Sequence, residues 1–158
     1  MANHNDPCLH KHIDLLQAAI NRMATNSSSC KTWCVTIISG IVIVSIDKEQ
    51  PLAVIVSILP IIAFLLLDAY YLSLEKAFRA LYDKTIEDLH SGTLSNEKLF
   101  LLKINAAWKD RGKAICKAFY SFSILPFYIL LIVMLIIIYL ILKNNVVHLP
   151  YVCCRYCF

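Results

Sequence analysis

Few residues in this 158-residue chain have the type and spacing to do chemistry. Asp68 stands first, as the only acid within reach of a long apolar run, "PLAVIVSILPIIAFLLLDAYY". Ionisable groups at the membrane are costly and often functional. Two readings stay open for it. In an assembly of several copies, a ring of Asp68 would favour cations at a pore mouth. Otherwise Asp68 is solvated or hydrogen-bonded at the interface, on a helix that continues out of the membrane. "CCRYC" groups Cys153, Cys154 and Cys157, so a disulfide is feasible in an oxidising compartment, with one thiol left over. Their spacing fits no zinc signature, and only His148 is near enough to add a ligand. "HKH" (His10, Lys11, His12) reads as a solvated helix face. No nucleophile elbow, phosphate loop, HExxH or paired catalytic carboxylates occur, so no enzyme activity, metal or cofactor is expected.

The elements that must position these residues are long helices. The chain is 59% hydrophobic, with only three Gly and five Pro. Its mean hydropathy is +0.64. That is too apolar for an ordinary soluble domain of this size. Three spans are predicted: 32–46, 51–67 (extendable through Tyr71) and 119–142. The first would reach only about 22 Å as a helix, short of the roughly 30 Å hydrocarbon core. It is long enough if it begins near Ser27 and Lys31 snorkels. Only "DKEQ" separates it from the second, so the pair reads as a transmembrane hairpin. Thr36 and Gly40 form a small-xxx-small pattern that permits close helix approach, between copies or within one chain. Pro60 and Pro126 fall inside spans, where they are expected to kink them.

Lys and Arg set the orientation. Residues 1–31 and 75–118 hold twelve of the fifteen basic residues; Lys48, Lys143 and Arg155 lie elsewhere. The N-terminus and the long loop are therefore expected in the cytoplasm. Asp6 and Pro7 predict a helix start, and Leu9, Ile13, Leu16, Ile20 and Met23 an amphipathic stripe. The first 30 residues lack a continuous apolar core, so no cleavable leader is expected. Nothing between Pro60 and Gly92 breaks a helix, so the second span should continue as a stalk to His90, with Gly92 ending it. Tyr71, Leu74, Phe78 and Leu81 mark its apolar side. Its Lys76, Arg79 and Lys84 are candidates for docking a partner. Ser95 should cap a return helix bearing Leu99, Leu102 and Ala106, with a bend at Gly112. The basic residues Lys109, Arg111, Lys113 and Lys117 are lipid-contact candidates, and no motif supports nucleic-acid binding.

The fold class predicted is all-α: an integral membrane protein with three transmembrane helices and a cytoplasmic helical hairpin. Its parts are an amphipathic helix (1–31), a transmembrane hairpin (32–73), the cytoplasmic hairpin (74–118), a third span (119–142) and an extracytoplasmic, Cys-containing tail (143–158).

"LLQAAINRMATNSSSCKTWCVTIISGI", "LLLDAYYLSLEKAFRALYD" and "FYSFSILPFYILL" resemble a family of small bacterial multi-span membrane proteins. No catalytic residues carry over from it. In size and layout the chain is also similar to the short transmembrane effectors of anti-phage defence systems. That likeness implies an inner-membrane effector that oligomerises and perturbs membrane integrity or potential, under control of a cytoplasmic partner. The alternative is a non-conducting membrane anchor or adaptor that docks a soluble protein through its cytoplasmic helices. Expected partners are membrane lipid, further copies of the chain and a cytoplasmic protein.

Overall fold

The structure, a computed structural model, describes residues 7–93 and 108–153. It comprises α1 (Pro7–Asp47), α2 (Pro51–Val56), α3 (Ile58–His90), α4 (Trp108–Phe119) and α5 (Leu125–Cys153), with no strand among the described residues. Three stretches are long and apolar enough to cross a membrane: Pro7–Asp47, Pro51–His90 and Leu125–Asn144. Their most apolar windows have mean hydropathies of 1.7, 2.7 and 3.0.

α1 is a single helix of 41 residues, about 60 Å long at 1.5 Å per residue. The separate helix expected over 1–31 and the span expected over 32–46 are one element. The polar run Asn26–Ser29 does not interrupt it, because nothing there removes a backbone donor. The first proline after Pro7 is Pro51. Asp6, the expected cap, lies outside the described residues.

α1 and α3 end in the same way. At the end of α1, the Gln50 N–H donates to Ser45 O (3.1 Å) and the Glu49 N–H to Ile46 O (3.2 Å). At the end of α3, the Thr93 N–H donates to Asp88 O (3.0 Å) and the Gly92 N–H to Leu89 O (3.2 Å). Each is a Schellman motif, which puts the residue after the cap in the left-handed region. Gly92 takes φ +69° there without cost, whereas Glu49 takes φ +51° with a β-carbon in place. α3 thus runs on to His90 and stops at Gly92, as the sequence predicts.

Two prolines act differently from the kinks expected. Pro60 lacks the N–H that would pair with Val56 O, and the helix breaks at Ser57 into α2 and α3. The Ser57 N–H instead closes a tighter turn onto Val54 O (3.1 Å). Pro126 is the second residue of α5, in the first turn, where no intrahelical donor is needed. The third apolar helix therefore starts at Leu125, not at Phe119, and residues 120–124 form the bend. α4 passes through Gly112 without the predicted bend. At the far end α5 continues to Cys153, past the predicted end at 142. The predicted Ser95-capped start of the return helix lies outside the described residues.

The chain forms two compact units. One comprises residues 1–29 and 68–119; its buried line on α1 is Leu9, His12, Leu16, Met23 and Ser27. Buried residues of α3 in this unit include Asp68, Ala69, Leu72 and Thr85. The other unit comprises 30–67 and 120–158, where Cys34, Ile38, Val54, Ile61, Tyr128 and Leu135 are buried. α2 packs on α5 there. Between Leu125 and Asn144, α5 buries only Tyr128, Leu135 and Leu142, at heptad spacing, and leaves much of its aliphatic surface uncovered.

Candidate functional site: a buried carboxyl and two charged faces

Asp68 directly follows the apolar "FLLL" of α3 and is fully buried. Its partner comes from α1: Ser27 Oγ donates to Asp68 Oδ1. Of the two readings open from sequence, the hydrogen-bonded one describes this conformation, since the carboxyl turns into the bundle. Ser27 is four residues after Met23 and three before Cys30, so it continues the buried 3–4 spacing of α1. That continuation was the available signal, although the stripe read from the sequence ended at Met23.

His12, Ser45, Ser57 and Thr85 are buried as well, and for His12 this corrects the solvated face expected of "HKH". His12, not Ile13, occupies the buried line between Leu9 and Leu16, and is only 3% exposed. Burial lowers its pKa below 6.5, because the imidazolium loses its hydration there. Thr85 is buried on α3 and donates to Leu81 O (2.8 Å). The chain reverses at 48–50, so α1 and α3 run in opposite directions from the Ser27–Asp68 contact. His12 lies about 22 Å along one helix and Thr85 about 25 Å along the other, which brings them to nearly one level.

The docking candidates lie on the outer side of α3. Lys76, Arg79 and Lys84 are exposed at helical spacing, interleaved with exposed Asp83 and Glu87. Arg79 is engaged by Glu75, one turn earlier: Nε donates to Oε1 (2.8 Å), and a second guanidinium nitrogen lies 2.7 Å from the same oxygen. Tyr71, Leu74, Phe78 and Leu81 are half-buried rather than core.

Thr36 and Gly40 are both exposed on α1, and a β-carbon added at Gly40 would meet nothing within 4 Å. The hydroxyls of the apolar helices are largely spent on their own backbones. Thr36 donates to Thr32 O, Ser39 to Val35 O and Ser45 to Ile41 O, at 2.7–2.9 Å. Lys113 and Lys117 are exposed on α4, which also carries Lys109 and Arg111. Cys8, Cys30, Cys34 and Cys116 take part in no disulfide among the described residues. Cys154 and Cys157 lie outside the described residues, and with them the disulfide expected in "CCRYC". Among the described residues no group of three or more His, Cys, Asp or Glu could hold a metal.

Comparison with protein-family models, with curated proteins and with solved structures gave no match to this chain.

Proposed function

We propose that the chain is a membrane anchor. In this reading α1, α2–α3 and α5 cross a bacterial inner membrane, and the unit formed by 1–29 and 68–119 docks a soluble protein on the cytoplasmic side. The observation that carries it is the division of polar groups. Among the described residues the apolar helices offer little that could line a water-filled path: Asp68 is buried and bonded to Ser27, Ser57 is buried, and the hydroxyls of Thr36 and Ser39 serve their own backbones. The outer side of α3 from Lys76 to His90, by contrast, is charged and open.

Three observations support membrane insertion. Exposed Ile129, Leu130, Val133, Met134, Ile137 and Ile141 on α5 make a patch that soluble proteins do not leave to water. From Ser27 to Asp47, α1 is about 30 Å long, the hydrocarbon thickness. The excess of Lys and Arg in 1–31 and 75–118 favours those segments inside.

Docking is tested by cross-linking and affinity capture from cells with the full-length chain. Lys76→Glu with Arg79→Glu and Lys84→Glu should lose the captured protein while the chain stays in the membrane. Undiminished capture by this variant contradicts the role of that face.

A second reading is the oligomeric effector of anti-phage defence that the layout resembles. It is favoured by an open apolar hollow of about 370 Å³ between α1 and α5, with Ile38, Val42, Leu131 and Met134 in its walls. A helix of another copy would fill it. Inducing the chain with a voltage-sensitive dye present separates the two. Depolarisation favours the effector, and an unchanged potential with the chain in the membrane favours the anchor.

A further inference from the structure

The charged docking face of α3 makes no use of the basic residues of α4. We propose that the lysines of α4 form a binding surface for the headgroups of anionic phospholipid, a proposal that rests on the membrane reading above. Trp108–Phe119 is helical throughout. At 3.6 residues per turn, Lys109, Lys113 and Lys117 fall on one stripe, each about 6 Å above the last. Lys113 and Lys117 are exposed, as is Cys116 beside them. On the other side Ala118 is buried, and Ile115 and Phe119 are half-buried. Arg111 occupies the line of Ile115 and Ala118. The four basic residues that the sequence groups together therefore divide by register: Lys109 shares the line of the exposed Lys113 and Lys117, and Arg111 the line of Ile115 and Ala118.

Charge and position in the chain select the partner. Asp110 is the only acid in α4. The stripe is followed by Tyr120 and Phe122, 84% and 93% exposed, and then by α5, which is apolar enough to span. Basic, then aromatic, then aliphatic is the order in which a chain passes from water through headgroups into hydrocarbon. Lysines so few residues before a span in the sequence meet the headgroup layer, whose anionic lipids attract them. The apolar side of α4 is already used in packing, so insertion of the helix contributes little and the attraction is electrostatic. It is therefore screened by salt.

The test uses the full-length chain in uncharged detergent micelles. Binding of pyrene-labelled phosphatidylglycerol, and of the phosphatidylcholine analogue, is read by energy transfer from the tryptophans. Phosphatidylglycerol should bind more tightly, and 1 M salt should abolish the difference. Lys113→Gln alone should weaken its binding about fivefold, and Gln at Lys109, Lys113 and Lys117 together roughly a hundredfold. Arg111→Gln should change it little. Equal binding of the two lipids overturns the proposal, as does sensitivity to Arg111 rather than to the lysines. Lysine-dependent binding of a single-stranded RNA oligonucleotide tighter than that of phosphatidylglycerol also overturns it. Failure of the membrane reading shows separately, as loss of the chain from phosphatidylcholine vesicles after an alkaline carbonate wash.

Discussion

Ser27 and Asp68 join positions 41 residues apart in the chain, and both are buried. Removing one partner of a buried hydrogen bond exposes the other to its full desolvation cost. Ser27→Ala should therefore destabilise the fold by about 1–3 kcal/mol, measured by denaturation in micelles. Combined with Asp68→Leu, it should cost less than the two single changes added together, because both changes remove the same contact. Asp68 was conspicuous in the sequence as an acid on the edge of an apolar run. Ser27 was not, because a serine in a polar run becomes a core residue only through a partner far along the chain. His12 gives the bundle a dependence on pH. Its folded-state pKa lies below 6.5, so the unfolded chain binds the proton more readily. Stability is full above about 6.5 and is lost as pH falls through the lowered value. His12→Gln should flatten this acid limb of the stability profile.

The helix ends are where element-level chemistry is easiest to test. Glu49 holds a left-handed conformation that Gly92 adopts freely in the matching motif. Glu49→Gly should stabilise the α1 end by about 1 kcal/mol, and Gly92→Ala should destabilise the α3 end by about 1–2 kcal/mol. Thermal unfolding in micelles reads both signs. Gly92 was legible as a stop because glycine is the usual residue in that conformation. The two proline effects were legible only as kinks. Whether a proline bends a helix, breaks it or begins it depends on which turn its missing N–H falls in. That turn is set by where the helix starts, which packing decides. The unbroken α1 shows the same limit: a boundary was expected after residue 31, yet the buried spacing of Leu16, Met23, Ser27, Cys30 and Cys34 runs through it.

At the scale of the whole molecule, the three long apolar helices were readable from hydropathy alone, because a membrane span needs length and composition rather than exact register. The lysine stripe of α4 and the burial of Asp68 were not, since both depend on which face of a helix packs. The proposed topology places residues 7–29 and 68–93 on the cytoplasmic side, α4 with them, and the turn at 48–50 on the opposite side. It is tested most directly by labelling single cysteines with a membrane-impermeant maleimide. The native exposed Cys8 and Cys116 serve for one side, and Glu49→Cys for the other, each in a chain whose remaining cysteines are serine. Cys8 and Cys116 should react only after the cells are opened, and the cysteine at 49 should react in intact cells. Labelling of all three from one side would contradict the membrane-spanning hairpin, and with it the anchor.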